Sequence, residues 1–278
     1  MNNATSPESP KNDMPFLEHL LELRDRLLRI VLAIIIFLLC LMPFTEILFI
    51  TLAEPLLRFM PEGTQMIAID PAAPFFTPFK LAIVLAIFIT IPYILHQAWS
   101  FIAPGLYTHE KAMAMPLLVS SICLFYLGMA FAYYVVFPIL FGFMVTITPE
   151  GVSMMTDISR YLDFVLKLFF AFGVAFEVPI ATILLVWMGL WTPDDLAEKR
   201  PYIIIGAFVI GMFMTPPDIF SQTLLAVPVW LLFEVGLLFA RALVKRREAA
   251  EEMFPTVRED DIQAIEEDLN RLDHDDKK

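Results

Sequence analysis

The sequence predicts an all-α integral membrane protein. Six transmembrane helices, several of them kinked, are expected to form a concave curved bundle with the N- and C-termini both in the cytoplasm. Three observations carry this. Hydrophobic residues fill 58% of the 278 positions, including 26 Phe, and the mean hydropathy of +0.70 lies outside the range of soluble domains. Only 18% of residues are charged, and they gather between apolar runs. Prolines interrupt several of those runs, at Pro92, Pro116, Pro138, Pro179 and Pro228, each removing a backbone donor and tending to bend its helix.

A hydrocarbon core about 30 Å thick needs roughly 20 apolar residues at 1.5 Å rise each. The six runs extend from Leu27 to Ile50, Phe79 to Leu95, Met113 to Phe143, Tyr161 to Leu190, Tyr202 to Thr215 and Ile219 to Ala240. They define a membrane domain over residues 16–245, after a flexible cytoplasmic N-terminus at 1–15 and before an acidic tail at 246–278. Residues 248–278 hold 12 acids and 4 bases, with Ile262, Ile265, Leu269 and Leu272 at helical spacing, so the tail is either disordered or partly helical. With the tail set aside the body is close to neutral, which gives no footprint for nucleic acid. Cys40 and Cys123 lie within apolar runs and serve packing.

An even number of spans puts both termini on one side. Eleven bases flank the spans there (Lys11, Arg24, Arg26, Arg29, Lys111, Lys199, Arg200, Arg241, Lys245, Arg246, Arg247), against Arg58, Lys80, Arg160 and Lys167 opposite. The positive-inside rule therefore predicts cytoplasmic termini. No small-residue cleavage site follows the first apolar run, which is expected to remain as an anchor.

Taken in order, the segment from Phe16 to Leu28 is amphipathic. Phe16, Leu20, Leu23 and Leu27 share one face, while Glu18, Glu22, Asp25 and Arg26 occupy the other. Its predicted place is along the inner membrane surface, started by Asp13 as N-cap and Pro15 in the first turn. Arg24 falls beside the apolar arc, where an arginine either snorkels to headgroups or pairs with a carboxylate. The stretch from Thr51 to Pro78 is too long for a tight turn and predicts a structured cap on the outer face. In the inner segment from Tyr93 to Lys111, Glu110 by position alone either pairs with Lys111 or caps the third span. Glu177 lies mid-span, where an acid costs roughly 2.5–3.5 kcal/mol and faces a polar cavity or a partner. Lys167 is too far along the helix to pair with it, and Glu234 is accounted for by snorkelling near Arg241.

The fifth span is about 9 Å shorter than the hydrocarbon, and the sixth opens with Ser221, Gln222 and Thr223. Such a pair either thins the membrane and recruits another protein or buries its polar ends within its own interior. Asp218, after Pro216-Pro217, fits an N-cap of the sixth span. No catalytic constellation appears. His109-Glu110 lacks the second histidine of a zincin motif, and neither a nucleophile elbow nor a phosphate-binding loop is present. Neither enzyme activity nor a cofactor is expected.

Four motifs in order resemble the TatC family, the polytopic subunit of the bacterial twin-arginine translocase. They are His19-Leu20-Leu21-Glu22-Leu23-Arg24-Asp25-Arg26-Leu27, the loop from Ala98 to Glu110, the stretch from Phe172 to Pro179, and Thr215-Pro216-Pro217-Asp218-Ile219-Phe220-Ser221-Gln222-Thr223. The likeness extends over about residues 14–245 and includes Asp70-Pro71-Ala72-Ala73-Pro74-Phe75-Phe76.

The resemblance implies a receptor in the bacterial inner membrane that recognises paired arginines in the signal peptides of folded cargo. It then assembles in multiple copies with TatA and TatB type single-span proteins and uses the proton motive force for export. Glu22 and Glu110 match the family's signal-binding acids, and two carboxylates suit two guanidinium forks. Arg24 matches an arginine near that site, and Phe101, Pro104 and Leu106 match positions that shape the same surface. Met212, Thr215 and Gln222 match the edge where partner helices dock. Glu177 matches an acid of the fourth span with a polar role, Asp218 a position for which capping and function are both open, and Pro55 a structural outer-loop proline. Gly105, Lys167 and the acidic tail depart from the family pattern. The competing reading is an ion-coupled small-solute transporter centred on Glu177, against which the absence of an internal repeat weighs. A scaffold that only assembles other membrane proteins is a third.

Overall fold

A computed structural model of the chain describes residues 14–58, 66–102, 111–149, 155–214 and 219–253. From Phe16 to Leu41 the sequence contains neither Gly nor Pro, and α1 (Met14–Leu41) accordingly runs unbroken. The amphipathic segment therefore does not fold down as a separate surface helix; it continues directly into the first span. A short 3-10 turn at Met42–Phe44, containing Pro43, leads into α2 (Thr45–Leu57). The second unit is α3 (Ala73–Ile102). The third joins α4 (Lys111–Phe131) to α5 (Phe137–Thr146) through a π-helical stretch at Ala132–Val136. The fourth comprises α6 (Ile158–Ala175) and α7 (Val178–Trp187). After the short α8 (Pro193–Glu198) come α9 (Arg200–Met214) and α10 (Ile219–Met253). Among the described residues, five units are long and apolar enough to span a bilayer, and α9 is a shorter sixth. The starts of α1, α4 and α9 share one face with the ends of α3, α7 and α10. This is the near face; the opposite ends form the far face. α10 extends into the acidic stretch because Arg-Glu-Ala-Ala-Glu-Glu is composed of strong helix formers.

Prolines within the spans remove backbone donors that lipid cannot replace, and tyrosines take over. Pro55 lies inside α2, not in a connecting loop, and has no N–H to offer the Thr51 carbonyl. The Tyr133 hydroxyl donates to that carbonyl at 3.0 Å, and Tyr161 donates to the adjacent Leu52 carbonyl at 2.8 Å. Pro92 likewise leaves the Phe88 carbonyl without its helical partner, and Tyr126 donates to it at 3.0 Å. Tyr126→Phe is thus expected to lower stability by about 1–2 kcal/mol. Denaturant titration in detergent checks this, with Tyr134→Phe, at an exposed position, expected to be silent.

The core is aromatic. Phe137, Phe172 and Phe233 are fully buried, and Phe169 contacts Phe88, Tyr133 and Phe137 with ring centroids 5.2–6.4 Å apart. Close helix approach depends on small residues. A Cβ at Gly128 of α4 would lie 2.4 Å from the Phe172 carbonyl oxygen of α6, and one at Gly236 of α10 would lie 2.7 Å from Pro179 Cα of α7. α1 is peripheral, packing chiefly on α3. At its near end α7 stops in a Schellman turn. Gly189, at φ +68°, supplies the left-handed residue, and the Leu190 N–H reaches the Leu185 carbonyl at 3.1 Å.

The far face carries a clamp between the segment before α3 and the start of α6. The Ile67 N–H donates to Thr156 at 3.0 Å, and the Ile158 N–H donates back to Ile67 at 2.9 Å. Asp157 fixes the junction by accepting from the Ile69 N–H and, as N-cap of α6, from the Arg160 N–H, both at 3.1 Å. These backbone donors, Ile69 foremost, hold its carboxyl below the usual aspartate range. A depressed folded value means stability that is present above the ordinary aspartate pKa and lost as pH falls through the folded one. Asp157→Asn should therefore lower the melting temperature at pH 7, and the gap from wild type should close as pH falls below the ordinary aspartate range and through the folded value.

Candidate functional site

Glu22 sits one helical turn before Arg26 on α1, the i,i+4 spacing that brings side chains together. The Arg26 Nη2 and Nε donate to the same Glu22 oxygen, Oε1, at 2.5 and 3.0 Å. The same guanidinium reaches across to α3, donating to Gln97 Oε1 at 3.1 Å, to the Gln97 carbonyl at 3.3 Å and to the Ser100 carbonyl at 3.2 Å. Gln97 is buried at 7% exposure, so the staple is anchored in the protein. One side chain therefore ties the acid of α1 to the last turn of α3, where Phe101 follows Ser100. This brings Glu22 and Phe101 to one place on the near face. Arg24 pairs with Asp25 through Nε and Nη2 at 2.9 and 2.7 Å, on the surface. Of the two outcomes open to it, this is the carboxylate pair. Pro104, Leu106 and Glu110 lie outside the described residues.

Arg26 and Gln97 were missed by sequence reasoning. Arg26 was given no role at the site, although its i,i+4 relation to Glu22 was visible; its reach to α3 depends on tertiary packing. Glu234 was also misassigned. Rather than snorkelling near Arg241, it binds Arg200 of α9 through both oxygens, at 2.5 and 2.9 Å. Arg241 turns instead to Asp194 at 3.1 Å.

Glu177 stands at the break between α6 and α7. Pro179 cannot donate to the Ala175 carbonyl, and the chain tightens there, the Glu177 N–H bonding Val174 at 3.0 Å. Its Oε2 accepts from the Ser121 hydroxyl of α4 at 2.6 Å, while Oε1 is buried without a hydrogen-bond partner among the described residues. Lys167 plays no part in this pair.

At the far face α9 ends at Met214, and α10 begins at Ile219. Met212 is 52% exposed. The Gln222 backbone packs on α9 at Gly211, whose Cβ position would lie 3.7 Å from Gln222 Cα. Ser221 is buried, whereas Phe213 and Ile219 point outward at 70% and 83% exposure. The polar start of α10 is thus partly buried, beside an apolar rim facing lipid. Thr215 and Asp218 lie outside the described residues.

Comparison with known proteins gives one result. The family model described as Sec-independent protein translocase protein (TatC) matches residues 18–228. The Sec-independent protein translocase protein TatC of Azotobacter chroococcum mcd 1 is 57% identical over 244 residues, covering 88% of this chain and 95% of the relative. That of Escherichia coli (strain K12) is 52% identical with the same coverage. A crystal structure of the twin arginine translocase receptor TatC aligns with a TM-score of 0.73 at 39% identity, over 81% of this chain and 98% of that one.

Proposed function

This chain belongs to the TatC family of Sec-independent protein translocase proteins, and from that premise we propose that its near face is the receptor for twin-arginine signal peptides on folded cargo. The proposal rests most on the Arg26 staple, which holds the Glu22 carboxylate beside the Phe101 end of α3. A carboxylate has about four lone-pair sites over two oxygens and accepts a guanidinium fork bidentately. Glu22 and Glu110 each take one arginine of the pair. Arg26 positions Glu22, Arg24 stands on the same surface paired with Asp25, and Phe101, Pro104 and Leu106 receive the apolar residues that follow. The near face is then cytoplasmic, in agreement with its excess of bases, and the membrane is the bacterial inner membrane.

Partner recruitment belongs to the opposite corner. The short α9 and the exposed Met212 beside Gln222 suit docking of TatA and TatB type single-span helices, with Thr215 completing the edge. Glu177 keeps a polar role within the membrane, where Ser121 already engages it, Asp218 an outer-face polar role, and Pro55 shapes α2. Several copies join with these partners for export driven by the proton motive force. The likeness over most of the chain displaces the solute-transporter alternative. Expression in a bacterium lacking its own TatC tests the proposal. Restored export of a twin-arginine reporter, but not of its twin-lysine version, is expected; failure despite normal insertion and partner assembly would refute it.

A further inference from the structure

A separate site lies between α3 and α6 toward the far face. We infer that this groove binds one anionic phospholipid, its phosphate held by Lys80 and Lys167 and an acyl chain lying in the apolar part below. The groove encloses about 390 Å³, with Lys80, Asp163 and Lys167 at its polar end and Val84, Phe88 and Phe170 among the residues beneath.

The polar end carries a net positive charge. Lys80 Nζ donates to Asp163 Oδ1 at 2.6 Å, and Asp163 stands one turn from Lys167 on α6, so one carboxylate faces two ammoniums. Among the described residues Lys167 forms neither an ion pair nor a hydrogen bond, and it is exposed. α3 and α6 both begin at the far face. Their Cα–Cβ bonds therefore tilt both lysines toward it, and the long stems let the charges rise further.

Depth matches the chemistry. Lys80 stands at the outer end of the second span (Phe79 to Leu95), and Lys167 about 9 Å inside the outer end of the fourth (Tyr161 to Leu190), within reach of the interface through its long stem. The ammoniums thus meet the far leaflet at phosphate level, while Val84, Phe88 and Phe170 lie deeper, where acyl chains run. Met214, the last residue of the short α9, lines the same groove. A lipid with net negative charge leaves the phosphate to the lysines, whereas a zwitterionic headgroup brings its own competing ammonium. Free phosphate satisfies the charges but leaves the apolar part empty.

Native mass spectrometry of the full-length protein in detergent, with added phosphatidylglycerol, phosphatidylcholine or inorganic phosphate, tests this. One phosphatidylglycerol should be retained at least fivefold better than phosphatidylcholine. Lys167→Gln should cut that adduct at least fivefold, and the pair Lys80→Gln with Lys167→Gln should abolish it. Lys167→Gln removes no hydrogen bond or ion pair seen among the described residues, so it decides the matter even if the double variant unfolds. Equal retention of the two lipids, an undiminished adduct in Lys167→Gln, or displacement of the lipid by inorganic phosphate would each overturn the inference.

Discussion

Glu22→Ala should weaken binding of a twin-arginine peptide by roughly a hundredfold, and Glu110→Ala by a similar factor. A bidentate contact contributes two charge-assisted hydrogen bonds of about 1.5 kcal/mol each, or about 3 kcal/mol, which is two decades in affinity. Glu22→Ala also releases the Arg26 guanidinium, which is bound to Glu22 and to the end of α3. Glu22→Gln separates the two effects, because it keeps an acceptor for Arg26 but removes the charge. Peptide titration in nanodiscs should find Glu22→Gln nearly as poor a binder as Glu22→Ala, with a smaller loss of stability. Arg26→Lys should retain charge yet lose the fork that spans Glu22, Gln97 and Ser100. Its expected signature is a lower melting temperature with binding reduced less than in Glu22→Ala. Full binding by both Glu22 and Glu110 variants would remove the assigned site.

Gly128→Val should prevent α4 from seating on α6. The new Cβ would lie 2.4 Å from the Phe172 carbonyl oxygen and 2.9 Å from Phe176 Cγ. A ring can turn, but a backbone carbonyl inside a helix cannot, so α6 must move as a body. Overpacking of this kind costs about 3 kcal/mol, a large share of a marginal stability. Small residues are the means by which membrane helices approach closely when lipid supplies no hydrophobic drive. Gly206→Val provides the control, because its Cβ meets nothing within 4 Å. Thermal unfolding in detergent should show a marked fall for Gly128→Val and little change for Gly206→Val. A native melting temperature for Gly128→Val would mean that the α4–α6 contact is looser than described.

The apolar runs made the helical units legible, because a bilayer demands both length and hydrophobicity of every crossing. The fate of the amphipathic start was less legible. Its polar face suggested a surface helix, but an unbroken run without Gly or Pro carries α1 straight on. Prolines announced bends, while their compensation by Tyr126 and Tyr133 was invisible, since each tyrosine reaches a carbonyl on a different helix. The same reason hid the Glu234–Arg200 pair, 34 residues apart in sequence. Glu177 stood out as an acid within a span, yet only packing of α4 on α6 and α7 brings Ser121 to it. Within the candidate site, the motifs pointed to Glu22, Arg24 and Phe101. Arg26, which ties α1 to α3, carried only a local spacing as its signal.

The most direct test of signal recognition places a photocrosslinking residue at position 22, 101 or 110 in inner-membrane vesicles. Each is presented with a twin-arginine precursor and with its twin-lysine version. Crosslinks from all three positions to the twin-arginine precursor alone are the predicted result. Crosslinks that ignore the difference between arginine and lysine, or none at all from correctly inserted protein, would contradict the account.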